Sequence, residues 1–204
     1  MKNIQSETSK IFIESARALA QVVASSSFEF WKRKDFQLYV DFGNLPQTEQ
    51  DRMFNELEVS VLGLFFLHFD YAVLAADKEY KAALKFLQKE IIAAFLTLFR
   101  DLKIEEKFVK QWEELIDMRL KEYGEDFKIA FKESSQMAEF KGDEEDLRFA
   151  WARIETITID CLTHIRRGKV EEKDPLWKLL RKWLITLNGQ LNPIIKFAQK
   201  EDGN

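Results

Sequence analysis

The 204-residue sequence predicts an all-α protein, a single-domain bundle of about six or seven helices. The chain has only seven glycines and three prolines, too few for the many turns of an all-β chain of this size. Apolar residues recur at intervals of three and four along most of the chain, which is the helical period. No repeat or Gly/Ser/Pro-rich linker divides it, so we expect residues 1–204 to form one domain, with a frayed tail at residues 200–204.

The first half of the chain predicts a long, buried central helix. We expect a helix over about residues 6–24, weakened by Ser25, Ser26 and Ser27, and an aromatic segment over residues 28–42. The central helix follows at about residues 46–76 and is apolar on all faces from Val59 onward, which is typical of a core helix. A membrane span over residues 59–76 is the alternative, but Asp70 would cost about 3 kcal/mol in mid-span.

The second half carries clear helix boundaries. Asp77 can cap a helix at Lys78–Asp101, and helices over residues 105–134 and 144–167 follow, the latter capped by Asp143. Arg166, Arg167 and Gly168 form a typical helix end, and Asp174 followed by Pro175 a typical start. We expect Gly189 and Pro193 to kink or split the last helix.

Composition excludes several classes of protein. The net charge is −4, whereas nucleic-acid binding relies on a basic excess. The single cysteine, Cys161, permits neither an intrachain disulfide nor a cysteine zinc cluster, which favours a reducing compartment. We therefore expect a cytoplasmic protein of bacterial type, without an integral membrane segment and without a nucleic-acid partner.

Polar residues on the apolar central helix form one candidate site. Asp70 lies between Phe69 and Tyr71, and a buried carboxylate is costly unless it is paired. It is either paired with a neighbouring helix near the end of the bundle or placed to orient an apolar ligand. The second hypothesis predicts a closed pocket that includes His68, Phe66 and Phe95.

The two histidines suggest a second hypothesis, a metal site made by His68, Asp160 and His164. Asp160 and His164 are four residues apart, so both side chains can lie on one face of a helix. This pair resembles part of the ligand set of heme-oxygenase-like di-iron enzymes, which are also all-helical. Those sites take three histidines and this chain has two, so the alternative is that Asp160 and His164 form structural contacts.

Two short segments combine tryptophan with cations. The first is Trp31 with Lys32, Arg33 and Lys34; the second holds Trp177, Lys178, Arg181, Lys182 and Trp183. Such segments suit an anionic membrane surface or a nucleic-acid backbone. They equally suit a solvated helix face with its rings turned inward, and the helical spacing of Trp177, Leu180 and Trp183 favours this interpretation.

Taken together, the sequence favours a non-catalytic helical interaction or assembly protein without a cofactor, an oligomer or the binder of a protein partner. The regular apolar stripes over residues 78–101 and 105–134 suit packing against helices within the chain or across a dimer. One alternative is a binder of an apolar small molecule or lipid. The other is a metal-dependent oxidase that uses the His/Asp site.

Overall fold

The computed structural model describes residues 2–75, 77–140 and 145–200, and the side chains of residues 10–74, 77–137, 139–140 and 145–191. Within these ranges the chain is all-helical, with no strands. It forms seven α-helices: α1 Lys2–Trp31, α2 Lys34–Tyr39, α3 Gln47–Ala75, α4 Lys78–Asp101, α5 Glu106–Ser134, α6 Glu145–Ile165 and α7 Pro175–Lys200. Two single 3-10 turns lie at Phe42–Asn44 and Ala138–Phe140. The all-α prediction is confirmed.

Helix α3 is the centre of the bundle. It packs against α1, α4, α5, α6 and α7. From Glu56 to Phe69 every residue of α3 is buried except the half-buried Phe66, which explains why the sequence there is apolar on all faces. In the described residues one stretch, Gln47–Leu74, is long and apolar enough to cross a membrane, but 72% of its most apolar window is buried by the other helices. This is the pattern of the core helix of a soluble protein.

Helix α3 packs tightly against α5 at Gly63. A Cβ atom added to this glycine would lie 2.6 Å from Cε2 of Tyr123 and 2.9 Å from Cδ1 of Ile157. The Tyr123 ring is completely buried in this contact. The absence of a side chain at Gly63 therefore lets the backbone of α3 pack directly against an aromatic ring of α5.

The first helix does not end near residue 24 as predicted, because α1 continues through Ser25, Ser26 and Ser27 to Trp31. The hydroxyl groups of Ser25 and Ser26 donate to the carbonyls of Gln21 and Val22, one turn earlier, at 2.7 and 2.6 Å. These bonds satisfy the hydroxyl groups of Ser25 and Ser26 inside the helix. The predicted aromatic segment, residues 28–42, therefore contains the last turn of α1, the short helix α2 and the first residue of a 3-10 turn.

Several boundary signals act as the sequence predicts. Oδ1 of Asp77 accepts a hydrogen bond from the Tyr80 amide at 2.8 Å and so caps α4. Gly168 has φ +75°, and its amide bonds the Thr163 carbonyl at 2.8 Å just after α6 ends. Gly189 and Pro193 do not split α7, which runs as one helix to Lys200. The predicted Asp143 cap and residues 201–204 lie outside the described residues.

Candidate functional site: an apolar cleft between α6 and α7

Phe66 and Asp70, two members of the predicted pocket, lie together in a shallow cleft of about 290 Å³. Asp70 is exposed at its edge and accepts a hydrogen bond from Nε2 of Gln88, on α4, at 2.9 Å. The opposite wall of the cleft belongs to α5 and carries Asp117 and Lys121. Asp70 is therefore a surface carboxylate with a neighbouring-helix partner, as the first of the two interpretations expects.

His68 and Phe95 do not line this cleft. Phe95 is completely buried, with its ring centroid 5.2 Å from that of Phe99 and 5.7 Å from that of Trp112, both in edge-on geometry. His68 is only 7% exposed and lies on a different face of α3. The structure thus does not bring the four predicted pocket residues together around one ligand.

His68 belongs instead to a buried polar cluster with Arg153 of α6 and Asn188 of α7. Nε and Nη2 of Arg153 both donate to Oδ1 of Asn188, at 3.0 and 2.7 Å. Burial lowers the pKa of Arg153 to about 10, so the guanidinium is still charged at neutral pH. Burial, together with the charge of Arg153, lowers the pKa of His68 to about 3, so this imidazole is neutral. The cluster joins three helices through a cation and two neutral groups.

Asp160 and His164 face α5 rather than His68. Nε2 of His164 lies 3.1 Å from both carboxylate oxygens of Glu122. Burial, together with the nearby carboxylates of Asp126 and Glu122, raises the pKa of Asp160 to about 7. Among the described residues, no group of three or more His, Cys, Asp or Glu side chains is arranged to hold a metal ion. The three predicted metal residues therefore do not form a metal site.

Glu122 belongs to an ion-pair network between α3 and α5. Arg119 binds both carboxylate oxygens of the buried Glu56, at 2.8 and 3.1 Å, and also Glu122 at 3.1 Å. Both partners of the Arg119–Glu56 pair are largely shielded from water. These contacts hold helices together, and His164 joins them through Glu122, which is the structural role that the alternative interpretation gives to this histidine. Oδ2 of Asp160 is buried without a hydrogen-bond partner among the described residues.

The second tryptophan segment borders a concave surface that is larger than the cleft at Asp70. Trp183 is buried, with its ring stacked on Phe30 at a centroid separation of 4.2 Å. Trp177 is half-buried, and the guanidinium of Arg181 lies over its ring at 5.6 Å. Arg181 also donates to the buried Glu155. One ring is thus turned inward, as the spacing predicts, while Trp177 stays at the surface.

Trp177 lines a cleft of about 1000 Å³, which we call the α6–α7 cleft. Its apolar surface comes from the last residue of α2, one residue on α6, one in the α6–α7 loop and three at the start of α7: Tyr39, Leu162, Val170, Pro175, Trp177 and Leu179. Its charged surface comes from the loop and from α7: Glu171, Glu172, Lys173, Asp174, Lys178 and Lys182. The cleft is open, since Tyr39 and Val170 are still 38% and 43% exposed.

The loop between α6 and α7 shapes this cleft because both of its ends are held. Asp174 accepts the Leu176 amide at 2.9 Å, which caps α7, and its carboxylate binds Arg166 at 2.7 and 2.9 Å. Arg166 also donates to the carbonyl of Tyr39 at 3.0 Å, which fixes the end of α2 beside the loop. The hydrogen bonds and the Arg166 charge hold the pKa of Asp174 below its ordinary value, against the effect of burial.

Sequence reasoning missed the α6–α7 cleft, although it noted each of its local signals. The helix end at Gly168, the start at Pro175 and the tryptophan with its lysines were all visible. Their meeting with Tyr39, more than 120 residues earlier in the chain, was not. Comparison with models of protein families, with curated protein sequences and with solved structures finds no match. The geometry of the α6–α7 cleft is therefore what indicates the function of this chain.

Proposed function

We propose that the chain is a non-catalytic helical binding module, which holds an apolar segment of a protein partner in the α6–α7 cleft. The observation that carries this proposal is the cleft itself, which is open, has a volume of about 1000 Å³ and exposes mainly apolar surface. Small-molecule pockets generally occupy about 300–1000 Å³ and enclose most of the ligand. A cleft at the top of this range that is open along one side better suits a protein segment.

The chemistry of the cleft supports binding rather than catalysis. Its lining contains no histidine, cysteine, serine or threonine, the side chains that most often supply a nucleophile or a general base. Side chains with strongly shifted pKa values, such as Glu58, His68 and Asp160, belong to α3 and α6 and do not line it. An apolar floor with a charged rim is the usual composition of a protein interface.

A cytoplasmic location completes the proposal. Cys161 is completely buried and unpaired, and burial raises the pKa of its thiol to about 12. A thiol of this kind is packed as a small apolar side chain and suits a reducing compartment. Self-association through the same cleft is the form that an assembly protein would take, and the experiments below separate it from binding of a different protein.

The apolar character of the cleft can be tested with Nile red, an uncharged dye whose fluorescence increases in apolar surroundings. We expect the wild-type chain to bind the dye and Val170→Glu to weaken binding several-fold, because the charge would stand in the cleft. The matched control is Ile129→Glu, an exposed position on α5 that should leave binding unchanged. Equal dye binding by all three proteins would contradict the proposed site.

The protein partner can be tested by site-specific photo-crosslinking in the source cells. A benzophenone amino acid at position 170 should crosslink one discrete protein, and the same amino acid at position 129 should not. A crosslink to a second copy of the chain would establish the assembly form of the proposal. Absence of any position-specific crosslink, with the dye result also negative, would overturn the proposed function.

A further inference from the structure

The α7 wall of the α6–α7 cleft carries two lysines with free charges. Lys178 and Lys182 are four residues apart on α7, so they lie one turn apart on the same face. Both are exposed, and neither ammonium group makes an ion pair or a hydrogen bond with any described residue. Lysine stems can cover apolar surface while their charged ends stay in water.

The arginines around the cleft are already paired. Arg166 binds Asp174 at 2.7 Å, Arg167 binds Glu49, and Arg181 binds Glu155. The opposite rim, in the loop, carries Glu171, Glu172 and Lys173. The cleft therefore has a cationic wall on α7 and a mildly anionic rim on the loop. A partner of matching polarity would bind in one orientation, since complementary charges at a rim chiefly determine specificity.

The dimensions of the cleft match a short helical segment. Two turns of an α-helix form a cylinder ~10 Å across and ~11 Å long, with a volume of about 860 Å³. The cleft has a comparable volume of about 1000 Å³. An amphipathic helix commonly binds in this way, with its apolar face in a hydrophobic groove. Leu162, Leu179 and the Trp177 ring would contact that apolar face.

We infer that the α6–α7 cleft receives an amphipathic helix of a protein partner that carries two carboxylates one turn apart, paired with Lys178 and Lys182. This inference rests on the proposed function and names the partner's chemistry. Carboxylates at positions i and i+4 of the partner helix repeat the spacing of the two lysines. Cations on the other flank of the partner helix would face Glu171 and Glu172.

The inference can be tested with two synthetic 16-residue amphipathic helical peptides that share one leucine stripe. The first carries glutamates at the two flank positions i and i+4, and the second carries lysines there. Fluorescence anisotropy of labelled peptides measures the affinity for the full-length protein. We expect the glutamate peptide to bind about tenfold more tightly, because each exposed ion pair changes from attraction to repulsion. Added salt should reduce this difference.

A charge-reversed protein provides the second half of the test. The double variant Lys178→Glu/Lys182→Glu should reverse the preference between the peptides. The matched control is Lys85→Glu/Lys89→Glu, an exposed lysine pair with the same spacing on α4, which should leave both affinities unchanged. All four positions are exposed, so circular dichroism should show the same helical content in each variant.

The outcomes separate the inference from the proposed function. Equal affinity for both peptides, with no effect of charge reversal, would overturn the inference while Nile red and crosslinking still support the cleft. Binding of neither peptide, with the Nile red result positive, would also overturn it. A wild-type dimer by analytical ultracentrifugation that Val170→Glu dissociates would replace the inferred partner with a second copy. A reversed preference confined to the Lys178/Lys182 variant would establish it.

Discussion

Gly63 of α3 lies directly against the fully buried ring of Tyr123 of α5, where an added Cβ would come within 2.6 Å of Cε2. This contact sets how closely the central helix approaches its neighbour. Ile157 of α6 closes the same space, since its Cδ1 atom would lie 2.9 Å from the added Cβ. A residue that appears in the sequence only as a small gap in an apolar run is therefore a packing position for three helices.

We predict that Gly63→Ala destabilises the fold by about 1–3 kcal/mol, the usual cost of overpacking a core. The matched control is Gly124→Ala on α5, where an added Cβ meets nothing within 4 Å. That change should stabilise the helix by about 0.5–1 kcal/mol, because alanine loses less backbone entropy than glycine. Urea unfolding of both variants measures the difference, and equal stability would contradict the close packing.

Arg52 of α3 stabilises the end of α6. Its Nη1 and Nη2 donate to the carbonyls of His164 and Ile165, at 2.7 and 2.9 Å. We predict that Arg52→Met lowers the free energy of unfolding by about 1.5–3 kcal/mol, since two carbonyls at the end of α6 lose a charged donor.

The control for Arg52 is Glu49→Gln, which removes the ion pairs of Glu49 with Arg52 and with Arg167 but leaves both bonds from Arg52 to the carbonyls. Chemical denaturation should show a smaller loss for this variant than for Arg52→Met. A larger loss for Glu49→Gln would mean that the ion pairs of Glu49 contribute more to stability than the bonds from Arg52 to the end of α6.

Glu58 predicts a specific pH dependence. Burial raises the pKa of this carboxyl group from 4.5 to about 8, so the folded chain keeps a proton that the unfolded chain releases. The folded state therefore binds more protons than the unfolded state between about pH 4.5 and 8. The free energy of unfolding consequently falls as pH rises through this window, by up to about 1.4 kcal/mol per pH unit.

We predict that Glu58→Gln flattens this fall, measured by thermal or urea unfolding between pH 6.5 and 8. This range avoids the opposite effect of His68, whose lowered pKa of about 3 costs stability only below about pH 6.5. Glu114→Gln, an exposed position on α5, is the matched control and should leave the pH profile unchanged. An unchanged profile for Glu58→Gln would show that Glu58 is ionised in the folded protein.

Asn188 supplies the acceptor for the buried guanidinium of Arg153. We predict that Asn188→Leu destabilises the fold by about 3–5 kcal/mol, because it leaves a buried charge without its partner. Asn188→Asp should cost much less, since its carboxylate can accept the same two hydrogen bonds and balance the charge. Equal losses in the two variants, measured by urea unfolding, would mean that packing rather than charge controls this position.

The elements of the fold follow from local signals, and so could be predicted. Asp77 caps α4 through its own side chain, and Asp174 with Pro175 begins α7, because capping needs only neighbouring residues. The predicted end of the first helix at Ser25, Ser26 and Ser27 was wrong, because a local signal does not decide this point. Whether a serine ends a helix or bonds back into it depends on the packing of the whole helix.

The candidate sites depend on information that the sequence does not hold locally. His68 and Asp70 are two residues apart, so they point to nearly opposite faces of α3, one into the core and one to solvent. Likewise Asp160 and His164 share a face of α6, but the rotation of that helix directs them to Glu122 of α5 and away from His68.

The sequence by itself determined the helical class, the apolar central helix and most helix boundaries, because periodicity and capping act over a few residues. Only the tertiary structure decided which faces meet, since this depends on the rotation and crossing of helices far apart in the chain. At the α6–α7 cleft, Arg166 binds Asp174 and also the carbonyl of Tyr39, which lies 127 residues before Arg166 in the chain. No local pattern could predict that junction, and the proposed function depends on it.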